Sequence, residues 1–417
     1  SISPTQVTLV PDKPDVLTSC AGWDTIKNQS FLKDIILELK EHNIRTSIFV
    51  DPLEEMIEGA KRCETDRIEL YTESFAKKYL IDRDKAIEPY ITAADKALEL
   101  KPNNATVRYG LGIYHYHGFR NYAEAMKEFR YALNLEPGSA LFNVFGGAIY
   151  RRLGDYEKAE ERMVLAYELD PRSTFMLFNL KGTVTSNRKY KKSISLGDDS
   201  MNSEGLSSQW NARAHYYMTG DAITAIQMIK DYDFAKMEYS LSINDFKNAK
   251  NYLKNIKSEL IQTNTLFIPK NYYLGVIEQG LGQQELGKKY LLNALNQLEK
   301  AIIKYSTDPR PFSGLAYVHA RLGNKDEAIK AGLTATELLP VSRDAMFGTY
   351  YRTFLTEVYA LVNDKEKALE GIEYLSAIPA GLHYGQLKSN RVWDSVRDEQ
   401  RFKVVLDELS NNTDIKN

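Results

Sequence analysis

The sequence predicts a mainly α-helical protein: an array of paired helices that follows a short α/β segment. Proline recurs after three similar apolar stretches, at Pro102, Pro137 and Pro171, at steps of about 34 residues. Before residue 84 the pattern differs, because short β-branched runs alternate with amphipathic stretches. Since proline ends a helix, the step of the prolines predicts a repeated two-helix unit.

The clearest repeat spans residues 137–171. Gly147 and Ala159 are small residues at points where two helices must approach closely, and Gly154–Asp155 provides the turn between the helices. These residues resemble the tetratricopeptide repeat pattern. The repeat before it has the same pattern with one extra residue in its turn near Gly118.

Similar turns and small residues predict about seven to eight helical pairs over residues 84–380, a tetratricopeptide-type α-solenoid. Residues 312–340 give a second clear repeat and are expected to form two antiparallel helices. For residues 174–265, helical hairpins without true repeat geometry remain an alternative. We predict an all-helical superhelix up to residue 409.

The tetratricopeptide resemblance implies that the first helix of each repeat lines a concave face. A protein or peptide ligand is the partner expected there. The carboxylate-binding subclass of these repeats is not expected, because its key positions hold Tyr109, Ile113 and Phe145. The 27 tyrosines are interpreted as packing residues. The residues expected in the groove are Tyr109, Ile113, Tyr116, Val144, Arg151, Phe178, Tyr317 and Arg321.

The C-terminal segment Trp393–Phe402 resembles the closing segment of many bacterial tetratricopeptide signalling proteins. That resemblance keeps open a second function, the sensor or interaction half of a bacterial signalling regulator. We predict that residues 381–417 form a capping helix and a tail. The apolar residues expected to cover the last repeat are Trp393, Val396, Phe402, Val405 and Leu406.

Residues 1–83 are predicted to form a partial α/β segment with about three parallel strands. Strand–helix–strand–helix–strand order is typical of a parallel sheet. The predicted strands are Val7–Val10, Arg45–Val50 and Arg67–Tyr71, and the predicted helices are Ile26–His42 and Pro52–Arg62.

Several stretches in this segment resemble pyridoxine 5'-phosphate synthase over about residues 5–95, among them Leu9–Lys13, Ile44–Pro52 and Asp66–Thr72. The resemblance implies a TIM-barrel fragment, an enzyme of vitamin B6 synthesis, and condensation of an amino-ketone phosphate with deoxyxylulose phosphate. It also implies that Glu69 is the strand-borne proton-transfer group.

By the same resemblance, Thr18 and Ser19 lie in the loop that closes over substrate, where Cys20 or Ala21 replaces the family's glutamate. The family's opening and closing strands are not recognised, and a TIM-barrel site uses loops of all eight strands. We therefore expect Glu69 to be vestigial and the fragment to be inactive. The alternative is a pyridoxine 5'-phosphate synthase completed by another chain.

The family-like sequence runs into the repeats without a linker, and the chain starts at Ser1. Two interpretations stay open: a natural fusion, and a truncated or recombined reading frame that hides what precedes Ser1. The open sheet is expected to favour self-association, since exposed strand edges invite pairing.

Composition excludes several classes of function. Lys plus Arg number 54 and Asp plus Glu number 56, so the net charge of −2 predicts no nucleic-acid partner. The sequence has no apolar run that is long enough to predict a membrane span. Its two cysteines suit a reducing, cytoplasmic location. No cofactor is expected. No metal site is expected either, since His115 and His117 are two apart on a helix.

Overall fold

A computed structural model describes residues 4–12, 19, 21–79, 81–196 and 204–411. The chain divides into two compact units, Ser1–Pro137 and Gly138–Asn417. The domain boundaries expected from sequence, at residues 83 and 380, remain predictions.

The first unit contains a three-stranded parallel sheet in the order β1-β2-β3, as the sequence predicts. Both predicted helices are present, but the second begins at Glu54 and not at Pro52. The elements are β1 (Gln6–Leu9), α1 (Gln29–Glu41), β2 (Arg45–Val50), α2 (Glu54–Arg62), β3 (Arg67–Leu70), α3 (Glu73–Tyr79), α4 (Arg83–Leu100), α5 (Ala105–Ile113) and α6 (Tyr122–Leu135).

One face of this sheet is apolar and packs on α1 and α2. Ile48 and Val50 of β2 are fully buried in a cluster with Leu32 and Ile36 of α1. The strand register places the apolar residues of β1 and β3 on the same face. The opposite face carries polar side chains, among them Ser47 and residues paired with β2 on either side. The apolar groups on this face are therefore covered by α1 and α2.

A continuous helix, α4, spans the point where family-like sequence meets repeat-like sequence. It ends at Leu100, just before Pro102, as the proline pattern predicts. After α5 a π-helical turn, Tyr114–Gly118, holds the extra residue noted near Gly118. A π-turn accommodates one inserted residue within a helix, so the helix pair α5 and α6 is kept.

The second unit is built from seven consecutive helix pairs in its described residues, followed by a C-terminal segment. Residues 312–340 form two helices joined by a short turn, as predicted. The pairs are α7 (Ala140–Arg152) with α8 (Tyr156–Leu169), α9 (Thr174–Ser186) with α10 (Tyr190–Ser195), α11 (Glu204–Thr219) with α12 (Ala222–Met228), α13 (Asp233–Ser242) with α14 (Phe246–Asn255), α15 (Lys270–Gly280) with α16 (Gln284–Lys304), α17 (Pro309–Leu322) with α18 (Lys325–Leu338), and α19 (Phe347–Leu361) with α20 (Lys365–Ser376).

A residue with positive φ closes the first helix of each pair. Glycine holds this position in four pairs, including Gly154 with φ of 84°. A glycine or asparagine tolerates this conformation best, which explains the turn signals in the sequence. Arg188, with φ of 59°, is an exception that the sequence pattern did not predict. The aspartate that follows Gly154 caps α8 by accepting a hydrogen bond from the Lys158 amide.

The prediction that residues 84–409 are all helical is wrong at one place. Two short antiparallel strands, β4 (Leu260–Gln262) and β5 (Phe267–Pro269), form a hairpin between α14 and α15. Ile268 is almost fully buried in the largest apolar cluster of this unit. The β-branched residues of this hairpin suit a strand, and burial in that cluster stabilises it.

The C-terminal segment contains α21 (Tyr384–Ser389), a 3-10 turn (Arg391–Trp393) and α22 (Gln400–Ser410). Trp393, Val396 and Phe402 are fully buried in a cluster with residues of α19 and α20. This packing is the cover on the last helix pair that the sequence predicts.

The loop before α19 contacts the first helix pair of the unit. Arg152 of α7 and Asp344, which precedes α19, form a buried ion pair with Nη1 and Oδ1 3.4 Å apart. The Arg152 guanidinium also lies 3.7 Å from the ring centroid of Phe347. The amide of Ala345 donates to the Arg152 carbonyl at 2.8 Å. Residues far apart in sequence are thereby joined.

A second set of contacts joins the turn after α9 to residues 376–383. Arg188 Nη2 donates to the carbonyls of Ser376, Ile378 and Leu382 at 2.9–3.0 Å. The Tyr190 hydroxyl and His383 Nδ1 are 2.8 Å apart, and burial lowers the pKa of His383 well below its usual value. The unusual backbone of Arg188 thus places its side chain against three carbonyls.

A third contact brings α21 against the end of α11. Gly385 lies so close to the Tyr216 carbonyl that a Cβ at this position would be 1.7 Å from the oxygen. Only glycine permits this approach. The helical array of the second unit is therefore closed by its own C-terminal segment.

We predict that replacing Asp344 with alanine destabilises the protein by about 3 kcal/mol, because it leaves the buried Arg152 without its counter-ion. Urea unfolding followed by circular dichroism measures the loss. The control is Asp326→Ala, at an exposed carboxylate in the first turn of α18, which should change the midpoint little. Equal midpoints for the two variants would show that the ion pair does not stabilise the closure.

Candidate functional site

The glutamate singled out in the first unit lies on the polar face of the sheet. Glu69 of β3 pairs in register with Phe49 of β2. Its Oε1 accepts hydrogen bonds from Ser47 Oγ at 2.9 Å and from Thr8 Oγ1 at 3.2 Å. The three strands therefore each contribute one polar group to a small cluster.

The structure describes only one of the two residues that are predicted to lie in the loop over the substrate. Thr18 lies outside the described residues, and Ser19 is half-buried. Their role in substrate binding stays a prediction. Nearby, the amide of Trp23 donates to the carbonyl of Phe49 at 2.7 Å, which fixes the chain at the exit of β2.

Three of the predicted groove residues belong to the first unit. Tyr109 packs edge-on against Phe129 with ring centroids 5.6 Å apart, and it is half-buried. Ile113 ends α5 and is also half-buried. Tyr116 lies in the π-turn, is only 6% exposed and packs on Tyr122. Tyr116 therefore contributes to the core between α5 and α6.

Three more belong to the first two pairs of the second unit. Val144 is 1% exposed, so its side chain offers no surface to a ligand. Arg151 is buried and donates to Asn179 Oδ1 at 2.9 Å and to Thr183 Oγ1 at 3.2 Å, which joins α7 to α9. Phe178 is 43% exposed and packs edge-on against Trp210. Of these three, Phe178 alone is open to solvent.

The last two, Tyr317 and Arg321, line a cavity of about 600 Å³ in the second unit. A cavity of this size suits a small ligand or a few residues of a peptide. Its walls come from α11, α13, α15, α17 and α19 and from the segment around Asn390. Its tyrosines are Tyr216, Tyr217, Tyr239, Tyr272, Tyr273 and Tyr317.

Two carboxylates face this cavity, Glu238 of α13 and Glu357 of α19. Glu357 is half-buried, and desolvation raises its pKa to about 7. Glu238 is exposed, so solvent screens its carboxylate and the upward shift of its pKa is smaller than full burial would give. The Tyr317 hydroxyl donates a hydrogen bond to Glu357 Oε2. Glu357 therefore changes charge near neutral pH.

Tyr317 and Arg321, which the sequence places in a groove, line this cavity, and so do Glu238, Glu357 and Arg213, which sequence reasoning did not single out. The other cavity tyrosines were interpreted as packing residues, and two of them, Tyr272 and Tyr273, pack with ring centroids 5.2 Å apart. The available signal was a concentration of tyrosine and charge on successive first helices. This concentration indicates a cavity only if those helices lie side by side. Contacts between residues far apart in sequence decide whether they do.

Other kinds of site receive no support in the described part of the chain. None of its helices combines the length and the apolar character needed to cross a membrane. Within the same residues, no three or more His, Cys, Asp or Glu side chains are grouped to hold a metal ion.

Comparison with known families gives two matches. Residues 1–129 match the family model of the pyridoxal phosphate biosynthesis protein PdxJ, and residues 147–173 match a tetratricopeptide repeat model. The first match extends beyond residue 95, where the sequence resemblance was expected to end. It therefore includes α5 and part of α6, which the proline pattern had grouped with the repeats.

Curated relatives match the same part of the chain. The pyridoxine 5'-phosphate synthase of Flavobacterium johnsoniae is 57% identical over 110 residues, which is 26% of this chain and 43% of the relative. Those of Christiangramia forsetii and Cytophaga hutchinsonii are 50% and 49% identical, over 27% of this chain and 44% of each relative. The chain thus spans less than half the length of these relatives.

Among solved structures, the crystal structure of MamA protein aligns with 56% of this chain and 93% of its own, at 17% identity and a TM-score of 0.25. A TM-score this low does not establish a shared fold. The sequence matches carry the assignment: the chain joins a segment similar to pyridoxine 5'-phosphate synthases to a helical region that contains a tetratricopeptide repeat.

Proposed function

We propose that the second unit is a scaffold that binds a protein or peptide segment in its cavity. The observation that carries this proposal is the cavity of about 600 Å³ lined by tyrosines, arginines and glutamates on successive first helices. Paired helices of this kind commonly present an inner face to an extended ligand. Aromatic rings with a few charged groups are the usual lining of peptide sites.

Arg321 is the most useful residue for testing this proposal. It lines the cavity, it is exposed, and it follows Tyr317 by one helical turn on α17. Substituting it should change ligand contacts while leaving the buried core of α17 intact. Lys330, an exposed cation on α18 outside the cavity, provides a control of equal charge.

We predict that short random peptides displayed on phage are enriched by the full chain. The enriched peptides should bind Arg321→Ala about tenfold more weakly and Lys330→Ala unchanged, as measured by isothermal titration calorimetry. The scaffold proposal fails if no peptide is enriched, or if both variants bind as the natural chain does.

The first unit is proposed to be an inactive relative of pyridoxine 5'-phosphate synthase. Its described residues contain three parallel strands, whereas a TIM-barrel site is built from the loops of eight. Glu69 accepts hydrogen bonds from Ser47 and Thr8, which position the carboxylate but provide no second acid or base.

One observation favours a second candidate function, a pyridoxine 5'-phosphate synthase completed by another chain. The chain is 57% identical to a curated synthase over 110 residues, and Glu69 lies in a hydrogen-bond cluster on the sheet. A complementary chain would then have to supply the remaining strands and their loops.

We predict that the purified chain forms no pyridoxine 5'-phosphate from the family's two phosphorylated substrates. The Flavobacterium johnsoniae enzyme, assayed in parallel, provides the positive control. Turnover by this chain that is abolished in Glu69→Gln would contradict the proposal and favour the second candidate.

We also propose that the first unit associates with another copy of itself through the edges of its sheet. Among the described residues, β1 and β3 each pair with β2 alone, so each leaves one edge unpaired. Unpaired edges favour addition of a further strand. The apolar face is covered by α1 and α2, so the edges and not that face would make the contact.

A further inference from the structure

A buried histidine lies where the C-terminal segment meets the first helix pairs of the second unit. The ring of His383 is 2% exposed and stacks on Tyr217 of α11 with ring centroids 4.1 Å apart. Its Nδ1 lies 2.8 Å from the hydroxyl of Tyr190, the first residue of α10. Its amide donates to Gln386 Oε1 at 3.1 Å at the start of α21. One residue therefore joins α21 to α10 and α11.

The residues that lead to His383 dock on the same part of the unit. Arg188 Nη2 donates to three carbonyls of residues 376–383, here called the strap, and the Ala380 amide donates to the Ser186 carbonyl at 3.0 Å. Ala380 has a φ of 58°, in the left-handed region that residues with a Cβ rarely adopt. Such a conformation persists only where surrounding contacts hold it. Docking therefore keeps the strap in a strained conformation.

The surroundings of the His383 ring favour its neutral form. Burial, and then the charges of Arg188 and Arg213, lower the pKa of His383 well below its usual value. Within the described residues, no carboxylate is among the groups that act on this ring, and nearby tyrosines stay uncharged at acid pH. The titratable and charged groups around it are Arg188 and Tyr190 from the turn after α9, Arg213 and Tyr217 from α11, and behind these Tyr350 of α19.

Release of the strap would return the His383 ring to water and to an ordinary pKa of about 6.5. The docked form excludes a proton that the released form binds. Docking is therefore fully favoured above about pH 6.5 and is lost as the pH falls below that value. The equilibrium constant for release should rise about tenfold for each pH unit below about 6.5.

We infer that His383 is an acid-sensitive latch: a proton on its ring releases the strap and α21, and this release opens one wall of the cavity. Gln386 and Asn390 belong to that wall, and Tyr217, on which the ring stacks, also lines the cavity. The inference goes beyond the proposed scaffold function, because release of the strap needs no ligand. Where the scaffold function also holds, a ligand in the cavity would be freed at acid pH.

Hydrogen exchange of the full chain, measured by mass spectrometry, tests the latch. Protection factors correct for the direct effect of pH on exchange, and they are compared at about pH 7.5 and about pH 5. We expect the protection of residues 376–390 to fall about thirtyfold between these values, which is the linkage of one histidine. Residues 159–166, in the buried core of α8, should change less than about threefold.

Three variants separate the proton on His383 from other effects of acid. His383→Gln provides an amide that can bond to the Tyr190 hydroxyl but takes up no proton, so the fall should shrink to less than about threefold. His383→Phe keeps a ring beside Tyr217 and serves if the glutamine variant leaves the strap unprotected at about pH 7.5. His42→Gln, at an exposed histidine of the first unit, should keep the full fall.

Unchanged protection of residues 376–390 in the natural chain overturns the inference, because no proton then opens the strap. An equal fall in α8 also overturns it, since acid then unfolds the unit as a whole. A full fall in either protected His383 variant places the proton elsewhere. If neither variant holds the strap, the natural chain decides: a slope far from about tenfold per pH unit below about 6.5 contradicts the latch. Failure to enrich any peptide would remove the scaffold function and leave this inference standing.

Discussion

The second unit depends on contacts that join the loop before α19 and the C-terminal segment to its first helices. A linear helix array leaves both ends and its inner face open, because each pair contacts only its neighbours. Here the Arg152–Asp344 ion pair, which is almost fully buried, joins residues 192 positions apart. A buried ion pair is costly unless both partners are present, so it is satisfied only when the array is closed.

The closure is reinforced by groups with little tolerance for substitution. Arg188 reaches three carbonyls from a turn with positive φ, and Gly385 touches the backbone of α11 where any side chain would collide. His383 is stacked on Tyr217 at 4.1 Å. Since Tyr217 also lines the cavity, the contacts that close the array also shape the site. Packing and binding surface are therefore linked in this unit.

Local signals in the sequence were sufficient to predict the helix pairs and the three parallel strands. Proline after α4, α8 and α18 and glycine or asparagine at the turns act within a few residues, so the pairs could be predicted. The three β-branched runs are also local signals, and they predicted the three strands of the parallel sheet. The hairpin around Ile268 was missed because its short strands are stabilised by burial in a distant cluster.

The site was less predictable than the fold. Tyr317 and Arg321 followed from the repeat register, whereas Val144 and Tyr116 followed from the same register and are buried. Whether an inner-face residue meets solvent depends on how closely neighbouring pairs pack. Glu238 and Glu357 carry no local signal at all, because an acid on a helix normally faces water. Their environment arises only when α13 and α19 line one cavity.

Closure of the array is tested most directly by the distance between a site near Arg188 and a site near Ser376. Spin labels at Lys191 and Ala377, both exposed, would lie beside the contacts of Arg188, after serine replaces Cys20 and Cys63. Double electron–electron resonance should then give a single, short and narrow distance distribution. An open array would separate these sites by many helices, each packed about 8–10 Å from the next. A long or broad distribution would contradict the closed arrangement.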